Sequence, residues 1–221
     1  ETVGPDAPQL QKLRLFYNHP GFVEPMARNL AAAVAEAERA GDLDQDRQRH
    51  RIVFCAHSIP EAMAASCDYP AQLAEAARLV MDLADLGHRS WDLVYQSRSG
   101  PPSVPWLEPD VNDHLEALAD DGITGVTLVP IGFISDHMEV LYDLDTQAVE
   151  TAKERGLALN RAATVGTDPR FVAMIRELIE EQVAAAHPLA SGHDGPWPDQ
   201  CPDGHCLAPR RPATAGRPPA T

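Results

Sequence analysis

The sequence predicts an α/β fold: a parallel four-stranded sheet flanked by helices, followed by a disordered C-terminal tail. Three observations carry this. Short apolar runs alternate with longer stretches whose apolar residues recur at helical spacing, the pattern of buried strands and the helices that cover them. Two of those runs, Arg51-Ile-Val-Phe-Cys-Ala-His57 and Gly125-Val-Thr-Leu-Val-Pro130, each end in a turn bearing a histidine, as an open parallel sheet needs to build a cleft at its carboxyl edge. The text then changes after Ala186: residues 187–221 hold eight Pro and four Gly, about a third of the segment, which is the composition of disorder.

Taken in order, residues 1–9 are polar and read as extended. Leu10, Leu13, Phe16 and Tyr17 fit a short helical or irregular segment that stops near His19-Pro20-Gly21. Residues 22–40 are Ala-rich with apolar positions at helical spacing and form a long helix, followed by a charged connection over 41–50. The run 52–56 is the first strand. Residues 70–86 make an amphipathic helix with Leu73, Ala77, Val80, Met81 and Ala84 inward and Gly87 as its stop. Residues 91–96 are the second strand. The next loop holds Pro101, Pro102, Pro105 and Trp106 and is stiff, since proline fixes φ. A helix over 111–120, a third strand over 125–130, a helix over 137–155, a fourth strand over 157–163 and a helix over 169–186 complete the pattern.

The bulk numbers bound the function. At 221 residues the chain can form one large domain or two small ones, and 44% hydrophobic residues supply a core. A net charge of −15 argues against nucleic acid as a partner and against an anionic membrane patch. No apolar run reaches about 18 residues, so no transmembrane segment is expected, and no signal peptide opens the chain. Four cysteines without a secretory signal point to a reduced, cytoplasmic setting. The chain starts at Glu1 without an initiator Met, which leads to the expectation of a fragment or processed product.

The chemistry concentrates in Pro130-Ile-Gly-Phe-Ile-Ser-Asp-His-Met-Glu-Val-Leu-Tyr-Asp-Leu-Asp145. Helical neighbours lie three and four apart, so Glu139 and Asp143 share a face, with Gln147 one turn further on. Carboxylates stacked beside His137 form an oxygen- and nitrogen-rich site suited to a divalent metal in transit. The alternative is a solvated acidic helix start favoured by the helix dipole. Asp136 reads as an N-cap before it reads as a ligand. His137 reads equally as a hydrogen-bonding support or as packing.

Three blocks carry a family resemblance: Cys-Ala-His-Ser-Ile-Pro from Cys55, Tyr-Gln-Ser-Arg-Ser-Gly-Pro-Pro-Ser-Val-Pro-Trp-Leu-Glu-Pro-Asp from Tyr95, and the segment from Pro130 just quoted. In this order and spacing, over about residues 3–181, they resemble the signature blocks of ferrochelatase, in particular the coproporphyrin ferrochelatase of actinobacterial type.

The resemblance implies insertion of ferrous iron, the substrate metal, into a porphyrin (coproporphyrin III, giving coproheme) in heme biosynthesis. The family is built from two similar lobes. This chain resembles the second, one Rossmann-like lobe: residues 1–50 as a segment and long helix at the lobe interface, 51–186 as the chelatase lobe, and 187–221 as the tail. The first lobe would be its partner and would supply aromatic and Arg contacts to the ring; a monomer is expected. The resemblance assigns His57 as proton acceptor or brief iron ligand. It assigns Glu139 as the second essential group across the ring centre, with Asp143 continuing a metal or proton path. Gln147 stands where relatives commonly carry a Glu, and a π-type distortion of that helix is expected. Ser97 and Arg98 are candidate porphyrin contacts, Arg98 either to a propionate or within its own chain. Trp106 is expected to anchor its loop and Cys55 to be buried packing. Some members of the family, many actinobacterial ones among them, also carry a [2Fe–2S] cluster, and the matching positions are Cys67, Cys201, His205 (a Cys in those relatives) and Cys206; a lost cluster or a zinc site are the alternatives. From another class, the chain would be a non-catalytic tetrapyrrole- or iron-binding module derived from a chelatase lobe.

Overall fold

The computed structural model describes residues 8, 10–41, 43, 46–87 and 89–206. Its centre is strand β1 (His50–His57), buried on both faces along most of its length. Successive side chains of a strand point to opposite faces, so Ile52, Phe54 and Ala56 enter one core and Val53 and Cys55 the other. β1 pairs in parallel with β2 (Trp91–Gln96) on one side and β3 (Gly125–Val129) on the other, and β4 (Ala158–Arg161) adds outside β3. The order is therefore β2-β1-β3-β4, all parallel, as the alternating pattern predicts.

Helices cover both faces. One core holds α1 (Pro20–Ala40), α3 (Tyr69–Ala84) and α7 (Pro169–Ala184); the other holds α4 (Val111–Asp120), α5 (Met138–Tyr142) and α6 (Ala148–Arg155). A one-turn α2 (Glu61–Ala64) follows β1. The sequence sets these helix ends. His19 caps α1 by accepting from the Gly21 amide at 2.9 Å, Pro20 occupies the first turn where no amide is needed, and Gly41 closes it with φ +78. Residues 10–16 form no helix; Arg14 in that stretch is buried and binds Glu181 of α7 at 2.6 and 2.9 Å. Among the described residues no helix is long and apolar enough to cross a membrane.

The tail is irregular, as its composition predicts: residues 185–206 contain no helix or strand. Its described part is nonetheless held. Ser191 donates its amide to Asn18 O at 2.7 Å, Asn18 Nδ2 donates to Gly195 O at 2.7 Å, and Trp197 packs edge-on against Tyr17. Residues 207–221 and most of 1–9 lie outside the described residues.

A buried polar chain crosses the amino half of the sheet. Arg89 Nε donates to His50 Nδ1 at 3.1 Å, so His50 Nε2 carries the hydrogen and donates to Thr127 Oγ1 at 3.0 Å. Thr127 donates in turn to Asn160 Oδ1 at 2.7 Å, and Asn160 Nδ2 to Ala33 O at 2.8 Å. Burial first, then nearby guanidinium charge, lowers both His50 and the buried His19 to about 4. Both are neutral in the fold, whereas an unfolded histidine takes up a proton near 6.5. Stability is thus complete above pH 6.5 and is expected to fall as pH drops toward about 4, by on the order of 3 kcal/mol per histidine. Denaturant midpoints at pH 7 and pH 4.5 check this; equal midpoints would remove both histidines from the account.

Candidate functional site

In a sheet ordered β2-β1-β3-β4 the chain runs outward from β1 to β2, then crosses back to β3 on the other side. Ligands of open parallel sheets bind beyond the carboxyl ends at such a reversal point. His57 closes β1 and the Glu139 segment follows β3, so both flank it. The two turns press together at Gly132, whose amide donates to Cys55 O at 3.2 Å; a Cβ there would lie 2.8 Å from Ala56 Cβ. Only glycine permits this approach.

His57 is held in one form. Its Nδ1 lies 2.5 Å from the Ser58 carbonyl, which can only accept, so Nδ1 carries the hydrogen and Nε2 keeps a free lone pair. That Nε2 faces Glu139 Oε2 at 4.0 Å. The His57 carbonyl accepts from Tyr69 Oη at 3.0 Å, and burial pushes the Tyr69 phenol up to about 12, which keeps it a donor. Ser58 Oγ donates to Leu107 O at 2.8 Å, and the backbones of Ile59 and Glu61 pair with Leu107 and Pro105. The proline-rich loop therefore braces the His57 turn, with Trp106 packed against Gly100 and bridged to Pro60. Trp106 is the loop anchor that its position implies.

The acidic helix is interrupted where the resemblance leads one to expect. Residues Asp143–Gln147 form a π-helical turn between α5 and α6. An ideal α-helix drifts about 40° every four residues, which would carry Gln147 about 80° round from Glu139; the wider π turn takes part of that drift back. Asp143 is tied to the end of β2: Ser97 Oγ donates to its Oδ2, and Gln96 Nε2 donates to the same oxygen at 3.1 Å. Ser97 adopts φ +59, the left-handed region, to make this contact.

The remaining expected residues separate. Ser97 bonds Asp143. Arg98 is exposed and donates to Val104 O at 3.2 Å and Pro102 O at 3.4 Å, within its own loop. Asp136 does not cap the helix; the cap position is His137, which makes no capping bond and packs edge-on to Phe133 with ring centres 5.2 Å apart. Asp136 and Asp145 both bind Arg161, the latter at 2.6 and 2.8 Å. Gln96, Tyr69 and Arg161 were not singled out from the sequence. Gln96 lies within the second matched block and Tyr69 nine residues after the first, but nothing in their spacing points to these contacts. Cys55 is fully buried, and burial pushes its thiol up, in keeping with packing.

Beside this edge lies an apolar cavity of about 190 Å³ walled by Phe16, Phe22, Tyr69, Leu73, Ile131 and Ile134. That is below the roughly 300–1,000 Å³ of pockets that enclose a sizeable ligand. Met63, Val104, Ile134, Met138, Leu141 and Tyr142 are exposed on the elements that follow β1, β2 and β3. The chain thus offers one wall of a site, with apolar surface left to cover.

A second cluster sits at the end of the described tail. One ligand atom each from Cys201, His205 and Cys206 lies within 4.8 Å of the others. Cys67 is adjacent, since the Cys206 amide donates to Ser66 O at 2.6 Å. Desolvation first, then the Cys201 and Cys67 sulfurs, raise the Cys206 thiol above its ordinary range. Gathered sulfurs resist ionisation until a cation joins them. Sulfur and imidazole donors are the kind that hold an iron–sulfur cluster or a zinc ion; the three gathered here are Cys201, His205 and Cys206, and Cys67 stands next to that group with its thiol donating to Met63 O at 3.4 Å.

Comparison with known proteins gives a consistent result. The ferrochelatase family model matches residues 2–183. A ferrochelatase of Rhodopirellula baltica is 48% identical over 98% of this chain and 60% of its own length. A coproporphyrin III ferrochelatase of Streptomyces griseus is 46% identical over 98% of this chain and 61% of its own. A solved structure from Marinobacter aquaeolei VT8, described as a CbiX protein assigned to cobalamin biosynthesis, aligns with TM-score 0.44 and 19% identity over 62% of this chain and 99% of that one, too distant to bear on function. The chain spans about 60% of the length of the curated relatives it matches. By the family model's reach and by these identities, the chain belongs to the ferrochelatase family.

Proposed function

We propose that this chain is the metal-handling lobe of an enzyme that inserts ferrous iron into a porphyrin, coproporphyrin III in the first instance. The observation that carries the reading is the meeting of His57 Nε2, with its lone pair free, and the Glu139 carboxylate at 4.0 Å on the reversal edge of the sheet. The names of the curated relatives supply the substrate class. Insertion needs two pyrrole protons removed and a cation delivered; no covalent nucleophile takes part. His57 accepts a proton at Nε2, the ring nitrogen that the Ser58 carbonyl leaves with a free lone pair. Glu139 supplies the second acceptor or the handover of the metal, and Asp143, oriented by Ser97 and Gln96, stands behind it. Gln147 offers oxygen without charge, so the outer end of the path holds a cation more weakly.

Seating a ring between His57 and Glu139 takes about 7–8 Å, twice the contact distance of 3.5–4.0 Å. At 4.0 Å the pair is closed. Glu139 is 57% exposed on a helix start and is the partner free to swing aside. The exposed apolar residues around the edge are where the ring and a first lobe would cover the chain. Zinc or ferrous insertion into coproporphyrin III, followed by porphyrin fluorescence, tests the reading with this chain alone and mixed with a supplied first lobe. Activity that requires both pieces supports it. Ring binding without insertion in the mixture would favour a non-catalytic tetrapyrrole-binding module.

Cys67 of the α2–α3 turn and the tail residues Cys201, His205 and Cys206 are proposed to hold a [2Fe–2S] cluster, which would supply one-electron chemistry and a cross-link between the tail and that turn. Cys67→Ser is expected to release residues 201–206 only, because Arg14 and Asn18 hold the tail further back. Cleavage beside Asp203 by an acidic-residue protease should quicken while cleavage beside Asp194 does not; an unchanged rate at Asp203 counts against the cross-link.

A further inference from the structure

His205 has two ring nitrogens, and its neighbours tell them apart. Nε2 lies 3.0 Å from Asp68 Oδ2, and a carboxylate only accepts, so Nε2 carries the hydrogen. In the neutral ring Nδ1 then keeps its lone pair, and it lies 3.1 Å from Cys206 Sγ. The nitrogen that can bind a metal is the one turned toward the sulfurs.

Three features hold this arrangement. Asp68 occupies the N-cap position of α3, where an aspartate ordinarily accepts from an amide of the first turn. Its backbone angles, φ −94 and ψ 18, are not those of a cap, and its side chain makes no capping bond. Its bond to His205 is made instead of that one. The His205 ring is only 13% exposed, although it lies in an irregular segment, and Trp197 backs it with ring centres 5.6 Å apart. Cys206 takes φ +57, which folds its sulfur back beside Nδ1.

We propose that Asp68 is the positioning residue of this metal corner: it fixes His205 as the Nε2–H tautomer, so that Nδ1 is the coordinating atom. This rests on the cluster reading and is independent of chelatase activity. A carboxylate behind a ligating imidazole orients the ring and raises its basicity, and loss of such a partner typically lowers metal affinity 10–100-fold. Coordination replaces the Cys206 thiol proton, which leaves to solvent.

The test uses the full chain, reconstituted anaerobically with iron and sulfide, in wild-type, Asp68→Ala, Asp68→Asn and His205→Ala forms. Iron and sulfide content and visible absorbance report the cluster; pulsed electron paramagnetic resonance of the reduced form reports a bonded ring nitrogen. The wild type should show a strong nitrogen coupling that His205→Ala abolishes. Asp68→Ala should weaken or split that coupling and release iron to EDTA at 10–100-fold lower chelator concentration. Asp68→Asn, which keeps an acceptor in place, should restore the single coupling. Circular dichroism should be equal throughout, since no cap is lost. A wild type without cluster overturns both this proposal and the cluster reading. A cluster whose nitrogen coupling and iron retention are unchanged in Asp68→Ala overturns the positioning role alone.

Discussion

Replacing His57 with alanine is expected to lower metal insertion by the chain plus first lobe by about 10²–10⁴-fold, the usual worth of a placed general base. The argument is geometric. The Ser58 carbonyl holds the Nδ1 hydrogen, so the basic Nε2 points at one place only, toward Glu139. Water or buffer cannot replace a base whose direction is fixed by the strand that ends there. Ring affinity should change little, because the imidazole is one small part of a wall that is mainly apolar. Glu139→Gln keeps the shape and removes the charge, and should lower insertion as well. The outcome that sinks the reading is a His57→Ala protein, folded and ring-binding, that still inserts metal within a few-fold of wild type. Tyr69→Phe serves as a graded companion: it deletes the hydroxyl that steadies the His57 carbonyl and should produce a smaller loss.

The largest stability effect is expected at Glu181→Ala. Arg14 and Glu181 side chains are 2% and 6% exposed, and the pair joins by two bonds, at 2.6 and 2.9 Å. Burial works against ionisation of Glu181, yet the Arg14 guanidinium holds its carboxyl below the usual range. Arg14 also donates to Leu189 O at 2.8 Å, so one guanidinium fastens the N-terminal segment to α7 and to the tail. Removing one member of a buried pair strands the other charge, at a cost of about 3–5 kcal/mol. For a chain of this size that lowers the melting midpoint by roughly 6–20 °C. A shift under about 2 °C would mean that water reaches Arg14 and the pair is not buried in solution.

Much of the fold was written locally. β1, β2 and β3 are apolar runs bounded by turn signals, and each lies within a residue or two of its expected ends. The helix pattern held because apolar residues on α1, α3 and α4 recur on one face. His57 and Glu139 were legible as a pair through the resemblance of their two blocks to the family's, and the parallel pairing of β1 with β3 brings them to one edge. What was not legible depends on contacts between distant residues. Ser97 bonds Asp143, 46 residues on, because φ +59 at the strand end aims it there, and no local window shows that contact. Asp136 reads as a cap in any local window, but Arg161 at the end of β4 draws it off. The tail has the composition of a chain that packs against nothing, yet its bonds to Asn18, Arg14 and Ser66 hold it through to Cys206. Composition reports how much apolar surface a segment can bury, and says nothing of partners offered from elsewhere.

Arg161 has an effect beyond its own two bonds. By pairing with Asp136 and Asp145 it offsets half of the charge on that flank, while among the described residues no lysine or arginine pairs with Glu139 or Asp143. The segment is therefore more negative on the side of Glu139 and Asp143, and a diffusing cation meets a field that has a direction. Such fields speed arrival and fade with added salt, over about 10 Å at 0.1 M. Loading of metal onto this edge should slow as ionic strength rises, and Arg161→Gln, by spreading the charge over both flanks, should strengthen the pull while blurring where it leads.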